Sequence, residues 1–210
     1  MGNKSSRPSI YKPSDRKILA NVNKKIICKT WPTLMRQNTD LWQQIWLKNM
    51  EKSPMIKASF ETLGETDEQS DLKMNHNFIR LTTVVEAFFH QLIITHQLND
   101  VIVEEKCLEL GARHAGFAHQ RGFQSVFWDI FNVCTIEHIQ ETNIGKQNPE
   151  LVKAWTRLME QIVNIMREGY QAAFGRSSSA MTETQLAVIK KVTDGSGNST
   201  PTSKRPTPSS

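Results

Sequence analysis

Leu108-Glu109-Leu110-Gly111-Ala112-Arg113-His114-Ala115-Gly116-Phe117 decides how this chain is read. The stretch reads as helix, and it sets one imidazole, His114, among Leu108, Leu110 and Phe117. Alone this means little, because a histidine beside apolar residues is more often an ordinary core histidine than a ligand. Its weight comes from what lies upstream. Trp31 is followed fifteen residues on by Trp46, then by Pro54, then six residues later by Phe60.

Working outward, the apolar positions recur with helical period. Ile18, Leu19, Val22, Ile26, Ile27 and Trp31 share one face, and Leu41, Trp42, Ile45, Trp46 and Met50 share another. The same spacing runs through Met74, Phe78, Leu81, Val85, Phe88 and Phe89, then Phe127, Ile130, Phe131 and Cys134, then Leu151, Trp155, Leu158, Ile162 and Ile165. No Asn-Gly or Asp-Gly hairpin signal interrupts the middle, so the chain reads as all-α. Ser14 or Asp15 caps a first helix that Pro32 kinks or ends. Asn38 or Thr39, Ser70, Asn99 or Asp100, and Asn148-Pro149 open later helices, and Gly175 stops the last. At 210 residues and 38% hydrophobic content, one core of ordinary size is expected, with polar tails. The expected organisation is a basic arm over 1–13, a helical domain over 14–175, and a disordered Ser/Thr/Pro-rich tail over 176–210 that admits only a weak helix from Met181 to Val192.

The net charge of +5 is modest and concentrated. Lys4, Arg7, Lys12, Arg16, Lys17, Lys24 and Lys25 face Asp15 alone in the first 25 positions. Such a block suits an anionic surface, and no nucleic-acid partner is expected. Cys28, Cys107 and Cys134 are widely spaced with no CxxC pair, which fits reduced thiols in the cytoplasm. The first fourteen residues lack the apolar run of a secretory signal, and no run of about 18 apolar residues is expected to span a membrane.

Taken in order, these features resemble the globin family, in particular nematode and neuroglobin-like globins. Residues 26–35 with Trp31 resemble the end of the family's first helix. Ile45-Trp46 through Pro54 resemble its second helix and proline corner, and Leu110-Gly111-Ala112-Arg113-His114 resembles its leucine–glycine–any–basic–histidine run. Ala154-Trp155 through Tyr170 resemble its last helix. The resemblance implies a three-over-three helical sandwich around haem (heme b), with disordered extensions at both ends. It implies that His114 is the proximal iron ligand, that Phe60 stacks on the porphyrin, and that Trp46 overhangs the distal side. A globin iron needs one axial nitrogen in an apolar slot, and the second ring nitrogen is usually fixed by a carbonyl.

The distal position has two registers. The neuroglobin-type phrase puts a histidine nine residues before an acidic residue, and Glu86 counts back to Asn77, with His76 one residue early. If Asn77 faces the iron, the next turn presents Leu81. If His76 does, the next turn presents Arg80, whose unpaired burial is costly. Asn77 is therefore favoured. Asparagine can donate a hydrogen bond to a bound gas, whereas His76 can bind the iron itself. A metal clip of His114 with His119 is disfavoured, since helical clips use a spacing of four rather than five.

Met1-Gly2-Asn3-Lys4-Ser5-Ser6 matches the N-myristoylation pattern at Gly2. One acyl chain binds membrane only marginally, and the basic block can supply the second signal. The resulting expectation is a haem globin tethered to the inner face of the plasma membrane. It would work in redox or gas signalling with O2, CO or NO and a protein partner not readable from sequence. Bulk oxygen transport suits such an anchor poorly. The alternatives are a globin-type peroxidase or nitrite reductase, and a haem-free helical interaction module.

Overall fold

The computed structural model describes residues 16–61 and 75–194. Eight α-helices appear among them: α1 Lys24–Gln37, α2 Leu41–Lys52, α3 Pro54–Glu61, α4 His76–His90, α5 Asp100–Arg121, α6 Phe127–Glu141, α7 Asn143–Gln147 and α8 Pro149–Asp194. A π-helical turn, Gln91–Thr95, extends α4, and no strand occurs among the described residues. The all-α expectation holds. The chain divides into one unit over 1–173 and a second over 174–210, of which the described part is the end of α8.

Side-chain caps explain most helix starts. Asn99 Oδ1 accepts from the amides of Val101 and Ile102 at 3.1 and 3.3 Å, and Asn148 Oδ1 accepts from Leu151 at 3.1 Å. Pro149 and Pro54 occupy first helical positions, where a missing N–H costs nothing. Other boundaries differ from expectation. The first helix begins at Lys24, not near Ser14 or Asp15, because Asn23 caps it by accepting from Ile26 at 3.2 Å. Pro32 does not end that helix but lies inside it, flanked by Trp31 and Leu34, whose burial holds the backbone helical on both sides. Asp40, not Asn38 or Thr39, precedes α2, and Asn38 instead closes α1 by donating to Leu34 O at 2.8 Å. Asn75, not Ser70, caps α4, accepting from Asn77 and Phe78 at 2.9 and 3.1 Å. Ser70 and Met74 lie outside the described residues.

Two further corrections concern length. Gly175 does not stop the last helix, which continues to Asp194 and takes in the stretch from Met181 to Val192 where a weak helix was expected. One segment, His76–Thr95, is long and apolar enough to cross a membrane by length and composition, where none was expected. Its apolar character has a use within the fold, since Phe78, Phe89, Leu92 and Ile93 are core residues.

The main core gathers Trp31 and Leu34 of α1, Trp42 and Ile45 of α2, Phe89, Leu92, Val103, Cys107, and Trp155, Leu158 and Ile162 of α8. Trp42 stacks on Phe89 at 4.6 Å, and Trp31 stacks on Trp155 at 6.0 Å. Trp42 and Trp155 are thus core residues, as expected. A second, smaller cluster holds Met50, Ile56, Phe78 and Phe127, with Trp46, Leu47, Leu81, Phe123 and Ile130 packed against it. Phe123 and Ile130 pack against both clusters and mark where they meet.

Candidate haem site

His114 sits in the fifth turn of α5 with its ring partly buried. Its Nδ1 lies 2.8 Å from Leu110 O, one turn earlier on the same helix. A carbonyl only accepts, so the hydrogen resides on Nδ1 and the Nε2 lone pair is left to bind. Burial pushes the imidazole's pKa down, and Arg113 nearby adds to this. The Leu110 hydrogen bond opposes them without reversing the shift. The ring is therefore held neutral, in the tautomer that an axial iron ligand needs.

Aromatic rings surround it. The centroids of Phe123, Trp128 and Phe117 lie 4.8, 5.4 and 5.4 Å from that of His114. Phe123 carries the contact on to the second cluster, where Trp46 and Leu81 pack with Phe78 and Phe127. Three sequence-predicted residues, Trp46, Leu81 and His114, are thereby brought to one apolar region. The indole N–H of Trp46 is buried there with no acceptor. An orphaned buried donor costs about 1–3 kcal/mol, which a polar group of a bound ligand would recover. The donor set fits haem: one neutral imidazole with a free nitrogen, apolar walls, and an unmet N–H. Among the described residues, no three His, Cys, Asp or Glu side chains gather into a cation cage.

The distal candidates occupy the first turn of α4. His76 and Arg80 are exposed, while Asn77 and Leu81 are half-buried and Phe78 fully buried. Thr82 fills the inner stripe between Phe78 and Phe89, its hydroxyl donating to Phe78 O at 3.1 Å. Phe60 is in α3, and its side chain, like that of His119, lies outside what the structure describes. Gly2 lies outside the described residues altogether.

Two parts of the site were missed in the sequence. Trp128, 4% exposed, packs on His114 from α6, and its signal was the aromatic run Phe123, Phe127, Trp128 after Gly122. The second is the crossing of α5 with α8. A Cβ on Gly111 would meet Met166 O at 1.9 Å, and one on Gly169 would meet Leu108 O at 2.2 Å. Glycine at both positions lets the two backbones touch one turn from His114.

Comparison with known proteins finds sequence relatives. Globin-like protein 26 of Caenorhabditis elegans is 25% identical over 167 residues, covering 80% of this chain and 84% of that protein. Globin-related protein glb-13 of the same organism is 30% identical over 95 residues, covering 41% of this chain and 33% of that protein. No solved structure matches. The family model for globins matches residues 43–166, which span α2 to α8 and include His114. Globins as a family bind haem and small gaseous ligands such as O2, and this chain belongs to the globin family.

Proposed function

We propose that the chain binds haem b through His114 and presents it to a diatomic gas in a signalling or redox role at the inner face of a membrane. The observation that carries this is the Nδ1–H bond to Leu110 O, which orients a neutral ring and frees Nε2. Haem, when bound, supplies an iron that takes up O2, CO or NO and changes oxidation state. The chain does the rest. Leu110 fixes the tautomer of His114, and Phe117, Phe123 and Trp128 exclude water from its ring. Leu81, Phe78 and Trp46 give an apolar wall. Asn77, half-buried where His76 is exposed, is the distal donor to the bound gas. A side-chain amide can donate to a bound gas and coordinates iron poorly, so Asn77 would leave a bound haem free to take up an external ligand.

The anchor is the second half of the reading. Glycine at position 2, serine at position 6 and the basic block together support an acylated, inner-leaflet protein. Haem titration of purified protein beside His114→Ala tests the first half. We expect stoichiometric uptake, a five-coordinate ferrous spectrum that converts with CO, and loss of uptake in the variant. Absence of stoichiometric uptake would leave a haem-free module as the better reading, and uptake unchanged by His114→Ala would remove His114 as the ligand. A six-coordinate ferrous spectrum without added ligand would move the distal role to His76.

A further inference from the structure

The outer line of α1 carries charge that haem binding does not use. Lys25, Lys29 and Arg36 are all exposed, and on a helix of 3.6 residues per turn they fall within an arc of about 40°. Ile27, Trp31 and Leu34 are buried on the opposite side. The three cations therefore form one row, about 16 Å long, on the side of α1 turned away from the core. The helix beneath the row is fixed. Trp31 Nε1 donates to His90 Nδ1 at 3.3 Å, and the Cys28 thiol donates to Ile93 O at 3.5 Å. These bonds tie α1 to the end of α4 and its π-helical turn.

The row is also unneutralised. No Asp or Glu occurs on α1. Lys24 pairs with Asp100, but Lys25, Lys29 and Arg36 have no carboxylate partner among the described residues. Lys25 stands in the first turn, where the helix dipole disfavours a cation. Charge is one-sided along the whole chain. Nine of the 26 Lys and Arg, but only one of the 21 Asp and Glu, fall within the first 39 residues. The remainder is net negative, although the chain as a whole is +5. An anionic surface attracts the first segment and repels the rest, so it turns the molecule as well as holding it.

We propose that Lys25, Lys29 and Arg36 form a docking face for a bilayer of anionic lipid headgroups, and that this face sets the orientation in which the folded domain meets the membrane. The proposal rests on the membrane half of the proposed function and goes beyond it, because it places the contact on a fixed helix rather than on the arm. The occupant follows from where the chain leads. Arg16 and Lys17, the first described residues, continue back into a basic arm that begins with glycine at position 2. Among the described helices, α1 is the nearest in sequence to that arm. Headgroup attraction fades over about 10 Å, so an acyl tether favours the row that it holds closest to the surface. A nucleic-acid backbone offers the same charge, but glycine at position 2 has no part in binding one. Once docked, the row holds α1 against the lipid, and the bonds from Trp31 and Cys28 carry that orientation to α4.

The test uses the full chain, expressed with and without an N-myristoyltransferase, and vesicles of phosphatidylcholine with or without phosphatidylserine. Lys25→Gln with Lys29→Gln and Arg36→Gln is compared with Lys106→Gln, Lys146→Gln and Lys153→Gln together, which remove the same charge from α5, α7 and α8. The row variant should bind phosphatidylserine vesicles about ten- to a hundredfold more weakly than the wild type, and the comparison variant within about threefold of it. The wild type gives a second readout that needs no variant. Lysine acetylation mapped by peptide mass should be slowed by these vesicles at Lys25 and Lys29, and not at Lys146 or Lys153. Equal loss in the two variants, or protection spread evenly over all lysines, overturns the row in favour of net charge alone. A short RNA duplex that displaces the wild type from the vesicles, and that the row variant fails to bind, overturns it in favour of nucleic acid. If the mass of the protein shows Gly2 unacylated, the anchor fails, and the same vesicle comparison still reads the row in the unacylated chain. If no form binds phosphatidylserine vesicles, both readings fail.

Discussion

Gly111 and Gly169 clear opposite sides of one helix crossing: a methyl on the first would strike the backbone of Met166, and a methyl on the second that of Leu108. The obstacle in each case is a carbonyl within a helix, which cannot swing aside as a side chain can. Gly111 lies three residues before His114, so a shift of α5 moves the imidazole with it. Gly111→Ala and Gly169→Ala should each lower stability by about 2–3 kcal/mol, the upper part of the range for overpacking. Both should also speed haem loss. Urea unfolding and haem transfer to a scavenger measure the two effects, and wild-type values in either variant would contradict the close crossing.

Gly116 is the contrast. It lies two residues beyond His114 on the same helix, is exposed, and a Cβ there would meet nothing within 4 Å. Gly116→Ala should stabilise the protein by up to about 1 kcal/mol through helix propensity alone. A loss of stability comparable to that of Gly111→Ala would mean that something unseen packs on this face.

Much of the fold was legible from local pattern. The helix order, the starts at Asn99 and Pro149, and the stripe through Trp42 and Ile45 all follow from period and capping chemistry. What failed were the places where a distant contact overrules a local rule. Pro32 breaks helices in isolation, yet Trp31 and Leu34 are buried on either side of it and the helix continues. Gly111 and Gly169 look like weak helix residues until the two helices are set against each other. At the candidate site, the helical setting of His114 beside Leu110 and Phe117 was legible, because neighbours in sequence are also neighbours on a helix, but its weight as a candidate came from Trp31, Trp46 and Pro54 upstream. Its cage was less so, because Phe123, Trp128 and Tyr170 are drawn from different parts of the chain. The distal register turned on a single residue, and the relative burial of His76 and Asn77 is a tertiary fact.

Pro32 makes the tertiary override measurable. It is exposed, so replacing it removes little packing. Proline inside a helix costs about 3 kcal/mol, part of which the surrounding structure has already absorbed. Pro32→Ala restores an N–H to the middle of α1 and should raise stability by about 1 kcal/mol. A fall in Tm instead would mean that Trp31 depends on the backbone geometry which Pro32 imposes.

Asp100 ties the segment before α1 to the start of α5. Its Oδ1 accepts from the Leu19 amide at 2.8 Å, and its other oxygen pairs with the Lys24 ammonium. Burial pushes its carboxyl up, but the Lys24 contact and the Leu19 N–H together outweigh this, and the net pKa is lowered. A carboxylate with a depressed folded pKa stabilises above its unfolded value, near about 4, and that stability is lost as pH falls through the folded value. Asp100→Asn should therefore cost about 1–2 kcal/mol at neutral pH, and the gap should close below about pH 4. Urea unfolding of both proteins at pH 7, 5 and 3 measures it, and a gap that persists undiminished at pH 3 would assign the effect to packing rather than charge.

The proposed anchor has its own arithmetic. A single myristoyl chain gives a membrane association constant of only about 10⁴ M⁻¹, so acylation at Gly2 alone leaves much of the protein in solution. Lys4, Arg7, Lys12, Arg16 and Lys17 each add about 1 kcal/mol or less near an anionic surface, an attraction that salt screens. The two signals should therefore behave as a product. Acylated protein should bind vesicles containing phosphatidylserine, bind neutral vesicles weakly, and come off the anionic ones as salt rises from about 0.1 M to 1 M and the screening length shrinks from roughly 10 Å to 3 Å. Gly2→Ala, and separately Lys4→Gln with Arg7→Gln and Lys12→Gln, should each release most of the protein, because neither signal suffices without the other. Membrane fractionation of cells expressing the wild type and Gly2→Ala reads the same point in vivo. Identical distributions would show that glycine at position 2 is a chance match on a basic arm.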